Sequence, residues 1–344
     1  MKTACLTSFG KAELIDIPEP EINGSKHLVR VKSCGLCGSD LHYYRTGRIG
    51  ETVCRYPHFM GHEPAGVVEK APVGSSFKEG DRVAIEPGIH CGECEFCKSG
   101  RINICPNVRF LATPGIPGAF QKYLALEECQ LVKIADSLSF EEAALLEPMG
   151  VAFHAVVNLA KIQKGDDIAV FGAGAIGLLT LAVAKLYGCG KAFIVDPLDY
   201  RLNFALEHSG ADFAVNPEKD DALAFIMDKT GGRGVDISFE AAGAQQSFEM
   251  TFESAAIGGK ALLIGIPETD RISFDPHTMR RKELQIMNVR RSNKTLHDCA
   301  ALAASKEIDL APYATHRFPL EQIDEAIKTT GNYRDNVIRT IINP

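Results

Sequence analysis

"DDIAVFGAGAIGLLTLAVAKLYGCGKAFIVDPLDYRL", residues 166–202, sets a short apolar run, a glycine-rich turn, a long apolar segment, a second apolar run and an acid in direct succession. Ile168 to Phe171 read as a buried strand, and the apolar stretch 175–187 is too long for a strand and reads as a helix. Between them Gly172, Gly174 and Gly177 keep the spacing G-x-G-x-x-G. Glycine at 172 permits the tight turn, at 174 it lets the backbone approach a pyrophosphate, and at 177 it allows the helix to pack closely on the strand. The helix N-terminus then offers its N–H groups to the phosphates. "KAFIVD" supplies a second strand ending in Asp196, nineteen residues beyond Gly177. A carboxylate there suits a ribose 2′-hydroxyl and repels a 2′-phosphate, so the expected cofactor is NAD rather than NADP. A lone glycine pattern is weak and an ordinary buried turn explains many of them; the surrounding strand, helix, strand and acid give this one its weight.

The alternation continues. "ADFAVN" from 211, "GVDISFEAAG" from 234, "GGKALLIGIP" from 258 and "ELQIMNV" from 283 read as further strands, separated by helical stretches at 219–230 and 245–256. The expectation is an α/β domain over 151–289, a doubly wound parallel sheet of six strands of the Rossmann type. Residues 1–150 differ: short strands such as "HLVRVKSCG" and "AGVVEKAP" lie between Gly and Pro turns, which predicts a β-rich domain. The segment 290–344, ending in the strand-like "VIRTIIN", is expected to return to that first domain. No internal repeat or low-complexity linker interrupts the chain.

Composition limits the partners. The 344 residues are 45% hydrophobic and 24% charged, enough for two ordinary cores and unlike a disordered chain. A formal charge of -7 disfavours a broad grip on nucleic acid or anionic lipid, leaving a small-molecule substrate as the expected partner. No apolar run nears the roughly eighteen residues of a membrane-spanning helix, and the first twenty residues lack a signal-peptide core. A cytoplasmic location is therefore expected, and the eleven cysteines read as metal ligands, redox groups or buried filler rather than a disulfide framework.

Four of those cysteines cluster in "CGECEFCKSGRINIC", residues 91–105. The spacing C-x2-C-x2-C-x7-C brings Cys91, Cys94, Cys97 and Cys105 together from one loop, and four thiolates close a tetrahedral zinc shell by themselves. Such a site is structural. A redox pair or an iron–sulfur cluster are the competing readings. Chemistry needs an open site, and the first 150 residues offer one: Cys37, Ser39, Asp40 and His42 in "CGLCGSDLH", His62 and Glu63 in "FMGHEPAG", and Glu147 in "ALLEPMG". Cys, His and Glu are ligands of zinc sites that keep a position free for substrate or water. Singly, each reads as filler, structural histidine or solvated charge; the dinucleotide pattern in the same chain raises them as a group.

The stretches "GHEPAGVVE", "CGLCGSDLHYY", "GDRVAIEPG", "FCKSGRINIC", "LATPG", "ALLEPMGVAFHAV", "GAGAIG" and "THRFPLEQIDEA" resemble the zinc-dependent medium-chain dehydrogenases, most of all their polyol (sorbitol) branch, over nearly the whole chain. That resemblance implies a GroES-like catalytic domain beside the Rossmann domain, one catalytic and one structural zinc per chain, NAD, and a homotetramer. It implies that Cys37, His62 and Glu63 bind the catalytic zinc, with Glu147 beside or on the metal. By the same comparison Ser39 and His42 relay the proton, and Asp40 orients a histidine ligand. Ile176, Arg201, Ile264 and Ile266 would border NAD, joined by Arg290, while Tyr43, Phe110, Thr113 and Arg290 would line the polyol pocket with Glu147.

The implied reaction is oxidation of a secondary alcohol of a polyol such as sorbitol or xylitol to the ketose. One departure stands out: "NVRRSN" follows Arg290 with Arg291 where polyol dehydrogenases usually carry tyrosine. Two adjacent guanidiniums suit an anionic substrate, so a sugar acid or sugar phosphate, like L-threonine, is kept as an alternative, unless Arg291 faces solvent or a subunit contact. A non-catalytic NAD-binding sensor is the alternative of a different class.

Overall fold

The computed structural model describes residues 1–22 and 24–344. The chain forms two compact units, Met1–Glu147 with Leu296–Pro344, and Pro148–Thr295. The first change of unit falls inside the helix Leu146–Phe153, and residues 290–295, expected with the C-terminal segment, stay with the second unit. Thr295 and Ser292 explain this: a Cβ at Gly150 would lie 2.7 Å from Thr295 Oγ1 and 3.3 Å from Ser292 Cβ, and Thr295 donates to the Gly150 carbonyl at 3.0 Å.

In the second unit the parallel sheet has the spatial order Phe213–Val215, Ala192–Val195, Ile168–Phe171, Val235–Glu240, Ala255–Leu263, Gln285–Asn288. In chain order that is 3-2-1-4-5-6, the doubly wound arrangement with its switch point between the first and fourth strands. The first two strands in chain order carry no polar residue. Ile168 to Phe171 and Ala192 to Val195 are buried throughout, as strands covered on both faces must be. The helices are shorter than the periodicity implies, Ala222–Lys229 and Gln245–Ser254, and the last residues of the second feed straight into a strand at Ala255.

The first unit is built on a mixed sheet in which His27–Gly35 lies between Glu63–Lys70 and Arg339–Asn343. Arg82–Ile85 and Leu131–Lys133 extend one side, Ala314–Pro319 the other, and Tyr123–Leu126 also pairs with His27–Gly35. The alternating burial of His27–Gly35 at its start gives way to three fully buried residues, Ser33 to Gly35, where "VIRTIIN" arrives as a neighbour. The strand Arg339–Asn343 shares a core with Val29, Val31, Met60 and Phe120 through Ile342.

Ion pairs hold the returning segment to the rest of this unit. Lys306 Nζ lies 2.6 Å from Glu142 Oε1, and Arg317 pairs with Glu141 at 2.6 Å. Burial would raise the Glu142 carboxyl, but Lys306 and the Ser139 N–H and hydroxyl hold it below the ordinary carboxylate range. A depressed carboxyl contributes stability that is complete above the unfolded value, about 4.3, and is lost as pH falls through the folded one. Lys306→Met is therefore expected to cost up to about 1 kcal/mol at pH 7, and to flatten the loss of Tm between pH 7 and pH 3. Thermal melts of both proteins at those two pH values check it.

Candidate active site and metal centres

Cys37 follows the buried end of the strand His27–Gly35 and is the N-cap of the helix Gly38–Thr46. Asp40, in the first turn, accepts the Cys37 N–H at 3.1 Å through Oδ2 and the Gly61 N–H at 3.0 Å through Oδ1. One buried carboxylate thus fixes two segments, and Oδ2 also stands 3.9 Å from His62 Nδ1. Glu63 begins the neighbouring strand Glu63–Lys70, fully buried opposite Gly35. A Cβ at Gly35 would sit 2.0 Å from Glu63 Oε2, so glycine there makes room for the carboxylate. Ligand atoms of Cys37, His62 and Glu63 all lie within 4.8 Å of one another.

The electrostatics are those of a cation site. Glu63 Oε1 accepts from Arg339 Nη2, whereas the buried Oε2 has no hydrogen-bond partner. Burial alone would lower the His62 imidazole, but the Cys37 sulfur, Asp40 and Glu147 hold it well above its usual value. Glu147 is pushed up to about 8, first by burial and then by the charge of Glu63. A thiol, an imidazole and a carboxylate oxygen converge in a place where further negative charge resists ionisation. That donor chemistry fits a divalent zinc with an open position.

Ser39 and His42 are both half-buried, three residues apart on the same helix, and therefore neighbours on one face. Tyr43 is buried, its ring 4.5 Å from that of His58. Phe110 packs 5.6 Å from the His62 ring, and Thr113 Oγ1 donates to the Phe110 carbonyl at 2.7 Å. Arg339 is a contributor that the sequence reading did not single out. It lies 276 positions from Glu63, and no local pattern connects the two.

The four-cysteine loop has different geometry. Cys94 caps the short helix Glu95–Lys98 and accepts the Cys97 N–H, while Cys105 arrives after a 3-10 turn. The Sγ separations are 3.9 Å for Cys91 and Cys97, 3.8 Å for Cys94 and Cys105, and 3.6 Å for Cys91 and Cys105. With Zn–S bonds of about 2.3 Å, the edge of a sulfur tetrahedron is about 3.8 Å. The loop fits a closed zinc shell and is far too open for disulfides. N–H groups of Glu93 and Cys94 draw the Cys91 thiol below its usual value, towards the thiolate a metal needs.

In the second unit, the three glycines have three separate causes. Gly172 has φ +104°, and a Cβ would meet Ala242 N at 2.8 Å. A Cβ at Gly177 would lie 1.8 Å from the Gly172 carbonyl oxygen, whereas one at Gly174 would meet nothing within 4 Å. That open space lies at the N-cap of the twelve-residue helix Ala175–Leu186, where a pyrophosphate fits. Asp196 is buried and holds the loop from behind: Oδ2 accepts the Ala173 N–H at 2.7 Å and Oδ1 the Leu198 N–H at 2.9 Å. Two backbone donors thus occupy part of the acceptor capacity of this carboxylate. Arg201 Nη1 lies 3.7 Å from Asp196. Ile176 and Ile264 are half-buried, Ile266 and Arg290 exposed, and Arg291 is half-buried with φ +55°.

Comparison with known proteins bears on both units. Residues 24–136 match the alcohol dehydrogenase GroES-like domain, and residues 175–305 the zinc-binding dehydrogenase domain. The chain is 39% identical to sorbitol dehydrogenase of Bacillus subtilis, the match covering 100% of this chain and 97% of that one. It is 36% identical to D-xylulose reductase of Saccharomyces cerevisiae over 97% of this chain and 95% of the other. Among solved structures, 2R,3R-butanediol dehydrogenase from Bacillus subtilis superposes with a TM-score of 0.90 at 30% identity, covering 100% and 99% of the two chains.

Metal analysis is expected to find two zinc ions per chain, falling to one in Cys94→Ser and to one in Cys37→Ser. Only Cys94→Ser should lower Tm strongly, because the closed site is part of the folding free energy. In the second unit, Gly174→Ala should leave stability within about 1 kcal/mol while weakening NADH binding about tenfold, and Gly177→Ala should destabilise by more than about 2 kcal/mol. Thermal melts alongside NADH fluorescence titrations separate the two.

Proposed function

The chain belongs to the zinc-binding alcohol dehydrogenase family, and from that premise we propose that it oxidises a secondary alcohol of a polyol such as sorbitol or xylitol to the ketose, with NAD as hydride acceptor. The observation that carries the chemistry is the open donor set, Cys37, His62 and Glu63 within 4.8 Å, with a buried carboxylate oxygen otherwise unpartnered. Full-length similarity to sorbitol dehydrogenase and D-xylulose reductase supports the substrate class.

In this reading Cys37, His62 and Glu63 hold zinc, which supplies stabilisation of negative charge on the substrate oxygen, while NAD supplies the hydride acceptor. The substrate's hydroxyl proton leaves through Ser39 and His42, adjacent on one helix face. Asp40 keeps the His62 ring and the Cys37 backbone in register. Glu147 adds a carboxylate beside the donors. Within the first unit Tyr43, Phe110 and Thr113 are the residues for substrate contact, and within the second Arg290 and Arg291 are the candidates for that role. The nucleotide lies over Gly172, Gly174 and Gly177, bordered by Ile176, Asp196, Arg201, Ile264, Ile266 and Arg290. Cys91, Cys94, Cys97 and Cys105 hold the second, structural zinc.

No helix among the described residues is long and apolar enough to cross a membrane. We read the enzyme further as a cytoplasmic homotetramer. The thiol ligands of both zinc sites need a reducing compartment, and the edge strand Gln285–Asn288 leaves Ile286 exposed for a partner.

The test is NADH formation from sorbitol, xylitol, galactitol, L-threonine and sugar acids, before and after chelation. Chelator-sensitive turnover of polyols is expected, lost by at least about 10³-fold in Cys37→Ala. Turnover confined to sugar acids, abolished by Arg291→Tyr, would replace the polyol reading. NADH binding without turnover on any alcohol would leave a sensor.

A further inference from the structure

Glu240 is the last residue of the strand Val235–Glu240, at the switch point of the parallel sheet. It lies in register with Phe171, directly before the glycine loop, and with Leu263 on the other side. Its side chain is fully buried, an unusual place for a carboxylate. The reason is a cage of neutral donors. Oε1 accepts the Ala242 N–H at 2.8 Å, the Gly243 N–H at 2.6 Å and the Ser247 hydroxyl at 2.6 Å. The main-chain carbonyl of the same residue accepts the N–H groups of Ile264 at 2.8 Å and Gly265 at 3.1 Å.

The second oxygen, Oε2, packs on Gly265, where a Cβ would come within 2.4 Å of it and within 2.5 Å of Gly243 N. Across from it, a Cβ at Gly243 would be 2.5 Å from the Ile266 carbonyl oxygen. The loops 241–247 and 264–266 are therefore pressed backbone to backbone, and Glu240 reaches both: its carboxylate binds the 241–247 turn, its main-chain carbonyl binds Ile264 and Gly265, and Oε2 packs between them. On its other flank, the same turn reaches the glycine loop: Ala241 N–H donates to the Phe171 carbonyl at 2.8 Å, and Ala242 N is what a Cβ at Gly172 would strike. Removing the carboxylate would free the Ala242 and Gly243 N–H groups and leave the Ser247 hydroxyl only the Ala244 carbonyl, so the 241–247 turn would no longer fix where Ile264 and Ile266 sit.

We propose that Glu240 is a positioning residue for the dinucleotide, its carboxylate holding the 241–247 turn against the 264–266 loop in the shape that receives NAD. The proposal rests on the NAD reading given above. It assigns Glu240 no contact with the reacting atoms; the residue acts through the loops it binds. A glutamine in its place keeps one oxygen for the same three donors, while an alanine keeps none.

The experiment titrates NADH fluorescence and measures KM for NAD and kcat in wild type, Glu240→Gln, Glu240→Ala and Ser247→Ala, all well below their Tm. Absence of NADH binding by wild type would sink the NAD reading itself, before any variant is compared. With wild-type binding established, Glu240→Ala is expected to raise the NADH Kd and KM for NAD at least tenfold with kcat within threefold, and Glu240→Gln to stay within threefold on every parameter. Should Glu240→Ala not fold, Ser247→Ala, which removes one donor and leaves the carboxylate, is expected to raise the Kd about threefold. Unchanged NADH affinity in Glu240→Ala or Ser247→Ala overturns the proposal, as does a Glu240→Gln defect equal to that of alanine.

Discussion

The first unit depends on one buried ion pair, Glu63 with Arg339. An isolated carboxylate cannot stay ionised in such surroundings, and a single guanidinium offsets only one charge. Cys37 and Glu147 stand in the same neighbourhood, and Asp40 is committed to holding the Cys37 and Gly61 backbones. One cation against several acids leaves an excess that burial makes costly, and protons or a divalent ion are the means of balancing it. The strand Arg339–Asn343 therefore has two duties: it completes the sheet beside His27–Gly35, and its first residue pairs with the buried carboxylate of Glu63. A break in that pair would leave a buried charge without its counterpart, the costliest kind of loss in a core.

The second unit solves the opposite problem, receiving negative charge rather than storing it. Its tools are backbone N–H groups and missing side chains. Gly172, Gly174 and Gly177 clear respectively a turn, a ligand and a helix, and Asp196 and Glu240 sit behind the loops, each accepting backbone donors on its own side of the central strand. Carboxylates placed behind the backbone orient it without presenting their charge to phosphate. The switch point is thus shaped by acids that need not touch the ligand's phosphates at all.

What was legible in the sequence follows the range of the interactions involved. The glycine spacing, the Asp196 acid and the four-cysteine loop are local patterns whose meaning is set within about forty residues, and the strand segments that alternate with helices were visible for the same reason. Hydrophobic runs also carried the strands Ile168–Phe171 and Ala192–Val195, because strands covered on both faces are apolar throughout. By contrast, the pairing of Arg339 with Glu63 and the space left by Gly35 depend on which distant segments become neighbours, which no local pattern records. Boundaries moved for a related reason: Thr295 and Ser292 are held by Gly150, a contact that composition does not display. The π-helical stretch His154–Leu159 at the start of the second unit was equally silent, since its residues suit an ordinary helix.

The two candidate metal-binding sets differ in how much chain each requires before it exists. The four-cysteine set closes within fifteen residues, and its thiols can meet as soon as that loop has been made. The other set joins Cys37 to His62 and Glu63 through a strand pairing, and its charge balance waits for Arg339. During synthesis the four thiols can therefore assemble early, while the open set acquires its full charge environment only after the last strand is in place. The order in which the two donor sets can form is written into the spacing of their residues.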